Sequence, residues 1–248
     1  MEENIRVATL DGMRIAGKLA SQVLDMITDY VKPGITTIEL DNIMNQYIIR
    51  NGGISACKGY YGYPRYTCIS VNHVVCHGIP SDKKLKNGDV VNIDVTVIVD
   101  GMYGDTSRMF IVGKPSIKAE RVCRIAKDAM VAGIEQIKPG ATVGDIGYAI
   151  QKVCEQNKVN AVKEFCGHSI GTFFHGDIQV PSFGTPGLGY KLKVGDFITV
   201  EPIITLGRDK VHTLPDKWTV VTNDRCITAQ WEHTIAVVEN GYEIMTLS

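Results

Sequence analysis

The chain has 248 residues, 44% of them hydrophobic, and 26 Lys and Arg against 27 Asp and Glu leave a net charge of −1. That length supports one large core or two small ones, and the balanced charge argues against a nucleic-acid partner, which would draw a basic excess or stripe. Seven cysteines, odd in number and without a C-x-x-C pair, indicate neither a disulfide framework nor a zinc ribbon and fit a reducing cytoplasm.

The N-terminal "MEENIRVATLDGMRIAG" has no basic segment followed by an apolar one, and no stretch approaches eighteen uninterrupted apolar residues, so neither export nor a membrane span is expected. Residues 9–31 place Met13, Ala16, Leu19, Val23, Leu24, Ile27 and Val31 at three- and four-residue intervals, which predicts an amphipathic helix stopped by "KPG" at 32–34. "TTIELDNIMNQYIIRNGG" predicts a second helix ended by its glycines. The tyrosine-bearing turn "KGYYGYPRY" and the strand-like "TCISVNHVVCHGIP" follow.

"VNIDVTVIVDGMYGDTSRMF" (91–110) then reads as a strand, a turn at Asp100-Gly101 and a returning strand. Along the first strand Asp94, Thr96 and Ile98 share one face, and Ile93, Val95 and Val97 the other. A carboxylate in such an apolar run is disfavoured unless it is paired, hydrogen-bonded or bound to a metal.

Two blocks repeat at nearly one spacing. "VKPGITTIELDNIMNQYI" from 31 resembles "IKPGATVGDIGYAIQKVC" from 137, an offset of 106. "LKNGDVVNIDVTVIVDG" from 85 resembles "LKVGDFITVEPIITLG" from 192, an offset of 107. The expectation is one catalytic domain of two similar halves, about 1–115 and about 120–248, each a helix pair with antiparallel strands. The second offset equates Asp94 with Glu201, and in both halves the carboxylate follows a Gly-Asp turn. "CHGIP" and "FHGDIQVP" form a looser pair, at an offset of 98 from His77 to His175.

The residues that could join Asp94 and Glu201 are Asp105, His168 in "CGHSIG" and Glu232 in "QWEHT". Four carboxylates and one imidazole suit a divalent cation, with Mn, Fe, Co or Zn all compatible. So much negative charge is more simply held by two ions sharing bridging carboxylates, ~3.5–4 Å apart, which can activate water for hydrolysis of an amide. His77 and His175 stand beside glycines in loops, where an imidazole could donate to a substrate carbonyl or amide. His73 and His212 show no comparable setting, and His233 is expected to point away from Glu232 as a structural residue.

These motifs together, with "SACKGYYGYPRYTCISVNHVVCHGIP", resemble over essentially the whole chain the type I methionine aminopeptidases of the pita-bread fold, in their short bacterial or organellar form. The five-ligand pattern is shared with prolidase and aminopeptidase P. The resemblance implies an α+β fold whose two pseudo-symmetric halves form a central curved antiparallel sheet covered by helices on its outer face. It implies removal of the initiator methionine from nascent polypeptides, at the ribosome, by a cytoplasmic monomer without membrane or specific nucleic-acid contacts, and with preference for a small second residue.

In that pattern Asp94 chelates one metal, His168 and Glu201 bind the other, and Asp105 and Glu232 bridge them. Glu201 also shuttles the proton, while His77 and His175 contact the scissile amide. Cys57, Tyr60, Tyr63, Cys68, Phe174 and Trp218 line the methionine pocket, and a monovalent cation sits near Asn72, Val74 and Thr228. The family usually has glycine at the position of Ser169 and arginine near Thr172, which leaves the loop's conformation in question. The competing readings are an X-Pro aminopeptidase or prolidase, and a catalytically silent binding module of the same fold.

Overall fold

Short hydroxyl side chains start all four long helices. Thr9, Thr36, Ser116 and Thr142 each accept the backbone N–H three residues on, which satisfies a donor that the first helical turn leaves open. The helices are α1 (Leu10–Ile27), α2 (Thr37–Arg50), α3 (Ile117–Ile134) and α4 (Val143–Asn157). The computed structural model describes residues 8–248; residues 1–7, part of the stretch read as carrying no export signal, lie outside them.

The apolar stripe of α1 is buried from Met13 to Ile27. The helix stops there instead of reaching Val31, and a 3-10 turn spans Thr28–Tyr30. Thr28 donates its hydroxyl to the Leu24 carbonyl at 2.9 Å, one of the side-chain bonds that compete with the helical ladder. Among the described residues no helix is long and apolar enough to cross a membrane.

The strands of the first part are β1 (Ile54–Ser55), β2 (Cys68–Val71), β3 (Val74–Cys76), β4 (Val90–Val99) and β5 (Met102–Ile111). Those that follow α4 are β6 (Asn160–Ala161), β7 (Gly167–His168), β8 (Gln179–Val180), β9 (Phe197–Val200), β10 (Ile203–Thr205), β11 (Val211–Thr213), β12 (Val220–Thr222), β13 (Thr228–Gln230), β14 (His233–Val238) and β15 (Gly241–Ile244). All pairings are antiparallel, grouped as β1-β4-β2 with β5 on β4, β13-β10-β6, β11-β12-β3, β15-β14-β9 and β7-β8. Single bridges at Ser107–Glu232 and Ser169–Ile198 join the groups where long ladders are interrupted.

β4 and β5 form the expected hairpin. Asp100 and Gly101 both have positive φ, 48° and 79°, as the tight two-residue turn requires. The register sets Asp94 opposite Ser107 and Thr96 opposite Asp105. Ile93, Val95 and Val97 pack into one core with α1 and α2. A second core gathers α3 and α4 against Ile198, Val200 and Ile235. Each large side chain so buried contributes about 1.5–3 kcal/mol.

Local devices recur at the spacing of the sequence repeat. Thr36 with Glu39 and Thr142 with Asp145 are both reciprocal capping boxes. The bridges Thr36–Lys84 and Thr142–Lys191 tie each box to the turn before the next long strand. One difference stands out: Asp94 lies inside β4, whereas β9 ends at Val200, so Glu201 projects from the residue just past the strand.

Helix α1 lies so close to β5 that a Cβ at Gly104 would meet the Ala16 and Gly17 backbone at 2.4–2.5 Å. Gly104→Ala is expected to destabilise the protein by about 1–3 kcal/mol or more, because backbone cannot yield as a side chain does. Chemical denaturation checks this; a variant as stable as the wild type would show that the helix is free to move off the hairpin.

Candidate metal centre and its pocket

Five elements deliver one side chain each to a common point: Asp94 from β4, Asp105 from β5, His168 from β7, Glu201 beyond β9, and Glu232 between β13 and β14. Asp105, His168 and Glu232 are buried, and each offers a ligand atom within 4.8 Å of the others. His168 Nε2 lies 3.7 Å from Asp105 Oδ2 and 3.5 Å from Glu201 Oε1. Asp94 and Glu201 line the same cavity.

Hydrogen bonds orient three of these groups. His168 Nδ1 is 3.1 Å from the Ser169 carbonyl, which can only accept; the ring hydrogen therefore sits on Nδ1, and Nε2 presents its lone pair to the carboxylates. Thr96 donates to Asp105 Oδ1 at 2.7 Å and leaves Oδ2 open. Thr199 donates to Glu201 Oε1 at 2.7 Å, and the Gln230 amide to Oε2 at 3.2 Å.

The electrostatics are severe. Burial first, and then the charge on Asp105, hold the Asp94 and Glu232 carboxyls well above the usual range. The same causes push Glu201 up to about 8, and burial raises Asp105 to about 7. Burial also lowers His168 to about 4. No lysine or arginine among the described residues forms an ion pair with any of the four carboxylates. Asp94 Oδ1 and Gln230 Oε1 are buried without a hydrogen-bond partner. Such a cluster is stable when protonated or when cations occupy it, and an oxygen-rich donor set with one exposed imidazole lone pair fits divalent ions.

The cavity above this floor measures about 350 Å³. Cys57, Tyr60, Tyr63, Cys68, Phe174 and Trp218 all line it, so every residue expected in a pocket from the resemblance borders this one space. His77 and His175 border it too. His77 has φ 54°, a strained value for a non-glycine residue, and its ring meets Phe165 and Trp218 edge-on. Burial lowers its pKa. Desolvation against the wall, then His168 and His77, push His175 down to about 3.

His233 instead bonds Thr246 Oγ1 at 2.8 Å and borders no part of the cavity, consistent with its expected structural place. Ser169 does not adopt a positive φ, so its position does not require glycine, and its hydroxyl accepts the Ile178 N–H at 3.2 Å. Nothing in the structure explains the threonine at 172. Around Thr228 the carbonyls of Asn72 and Val74 both accept its hydroxyl, at 3.2 and 3.0 Å, which groups three oxygens.

Sequence reasoning missed Thr199 and Gln230, and with them the wall residues Cys76, Phe165, Cys166 and Ile203. Thr199 and Gln230 precede Glu201 and Glu232 by two positions, so the alternation that paired Thr96 with Asp94 would have found both.

Three comparisons bear on this geometry. A family model described as "Metallopeptidase family M24" matches residues 11–239. The methionine aminopeptidase of Escherichia coli (strain K12) is 52% identical over 240 residues, covering 96% of this chain and 91% of that protein. The crystal structure of methionine aminopeptidase from Rickettsia prowazekii superposes with a TM-score of 0.95 at 49% identity, over 98% of this chain and all of that one. That from Thermotoga maritima gives the same TM-score at 35% identity.

The raised carboxylates have a thermodynamic consequence. Above pH 6.5 the histidines of the unfolded chain are neutral and its carboxylates ionised, while the folded site still holds protons up to about pH 7 on Asp105 and about pH 8 on Glu201. Each proton retained only by the folded state lowers stability by about 1.4 kcal/mol per pH unit. Metal-free protein is therefore expected to melt at a lower temperature at pH 8 than at pH 6.5, with saturating divalent metal removing the difference. Scanning calorimetry with and without chelator checks this; no fall in the metal-free melting temperature would contradict the buried-carboxylate account.

Proposed function

Because the chain belongs to metallopeptidase family M24, we propose that it is a metal-dependent aminopeptidase that hydrolyses the peptide bond after an N-terminal methionine, with preference for a small second residue. The observation that carries this reading is the placement of four carboxylates and one imidazole on the floor of a narrow apolar cavity walled by sulfur and aromatic groups. An unbranched thioether side chain suits such a wall. The substrates are the N-termini of nascent chains, met at the ribosome in the cytoplasm by a monomer. The single domain is two repeated halves, about 1–115 and about 120–248, and the recurring capping boxes support that division.

Two divalent ions would be held at this centre, one by Asp94 and the other by His168 and Glu201, with Asp105 and Glu232 serving both. When bound, such ions polarise the scissile carbonyl and lower the pKa of water. The chain's own groups do the rest. Glu201, oriented by Thr199 and Gln230, takes a proton from the attacking water and returns it to the leaving amine. His77 and His175, neutral in their desolvated positions, donate N–H to the carbonyl and amide as charge develops. Cys57, Tyr60, Tyr63, Cys68, Phe174 and Trp218 take up the methionine side chain. Asn72, Val74 and Thr228 would hold a monovalent cation, away from the chemistry.

Asp94→Asn is expected to lower kcat/KM on Met-Ala-Ser by more than about a hundredfold, the upper end of what losing even an outer partner of a metal ligand costs. Its circular dichroism should be unchanged. The wild type, titrated with single divalent metals, should cleave Met-Ala-Ser and leave Ala-Pro intact. Full activity in the variant would remove the metal assignment, preference for Ala-Pro would favour an X-Pro enzyme, and no activity with any metal would favour a silent module.

A further inference from the structure

The turn at residues 59–63 is built more rigidly than a pocket wall needs. Gly59 donates to the Tyr63 carbonyl at 2.9 Å, Tyr60 to Cys57 at 3.0 Å, and Tyr63 back to Tyr60 at 2.9 Å. The buried Tyr63 hydroxyl lies within hydrogen-bond distance of the Thr67 and Gly78 carbonyls, at 3.1 and 3.0 Å. Tyr61 is held at φ 44°, ψ 30° although it is 86% exposed, a conformation disfavoured for a non-glycine residue, and its ring meets that of Tyr60 edge-on. What this framework presents is the Tyr60 hydroxyl, 2.8 Å from His175 Nδ1 and 115 positions earlier in the chain.

His175 itself sits in a loop without regular hydrogen bonding. Its ring stacks on Phe174 at 4.0 Å and lies 4.2 Å from His168, contacts that set its plane but not which nitrogen carries hydrogen. Among the described residues, His175 Nδ1 is the one hydrogen-bond partner of the Tyr60 hydroxyl. A neutral phenol that donates to Nδ1 obliges the ring to carry its hydrogen on Nε2.

We propose that Tyr60 is a positioning residue: its hydroxyl donates to His175 Nδ1, fixing the imidazole as an Nε2–H donor aimed into the cavity. This rests on the reading of the protein as a methionine aminopeptidase in which His175 contacts the scissile amide. Tyr60 acts through His175, so its hydroxyl affects turnover, whereas its ring serves the pocket.

Tyr60→Phe keeps the ring and removes only the bond. In the metal-loaded enzyme on Met-Ala-Ser, kcat is expected to fall about tenfold, the weight of one hydrogen bond, with KM within about twofold. In a His175→Ala background the same substitution should change neither constant. In the diamagnetic zinc form, the Nδ1 nitrogen resonance of His175 should move in Tyr60→Phe toward that of an unbonded acceptor. An unchanged kcat, a rise confined to KM, an equal loss in the His175→Ala background, or an unmoved Nδ1 resonance would each overturn the proposal. Absence of Met-Ala-Ser cleavage by the wild type would overturn the underlying activity instead, and the resonance would still report on the tyrosine bond.

Discussion

Four carboxylates brought to one point, with no lysine or arginine among the described residues paired to them, set the terms for the rest of the structure. Desolvation and mutual repulsion oppose folding, which is why the pKa values of Asp94, Asp105, Glu201 and Glu232 all lie above the usual carboxylate range. Something must hold the elements together against that force. The two hydrophobic cores do so from behind, one under α1 and α2, the other under α3 and α4. The alternation of β4 is the hinge of the arrangement: Ile93, Val95 and Val97 anchor the strand in apolar packing while Asp94 and Thr96 face the site. A rigid ladder can carry an unfavourable charge because the same residues that expose it on one face bury it firmly on the other.

Rigidity also explains how the surrounding groups act. Three of the five clustered side chains are oriented by hydrogen bonds: Thr96 takes Asp105 Oδ1, Thr199 and Gln230 take the two oxygens of Glu201, and the Ser169 carbonyl takes His168 Nδ1. Asp105 Oδ2 and His168 Nε2 are left facing each other at the common centre. His77 and Tyr61, both bordering the cavity, occupy disfavoured backbone conformations, which is where a folded scaffold concentrates strain when an orientation matters more than local stability. The Tyr60–His175 bond extends the same logic across the cavity, joining a turn of the first half to a loop of the second.

The structure and the sequence repeat agree in detail and differ in one instructive place. Capping boxes at Thr36 and Thr142 and bridges at Lys84 and Lys191 recur at the offsets seen in the sequence. Yet Asp94 is embedded in a ten-residue strand, while Glu201 stands just past a four-residue one. Proline at 202 ends the donor pattern after Glu201. The second carboxylate is thereby released from the ladder and held by side chains, Thr199 and Gln230, a freer mounting than the strand gives Asp94.

Much was legible before any fold was seen. Helix periodicity, the Asp100-Gly101 turn, the face shared by Asp94 and Thr96, and the repeat that paired Asp94 with Glu201 all depend on short-range rules, namely 3.6 and 2.0 residue periods and turn chemistry, so local order carries them. The end of α1 at Ile27 was misjudged because a threonine hydroxyl competes with the helix, a detail periodicity does not weigh. Convergence is different in kind. Nothing local says that residues 94, 105, 168, 201 and 232 meet, that Gln230 reaches Glu201, or that Tyr60 reaches His175 across 115 positions. Those contacts exist because two separately packed cores dock their strands edge to edge. Chemical identity is therefore a property of the sequence, and proximity a property of the tertiary structure.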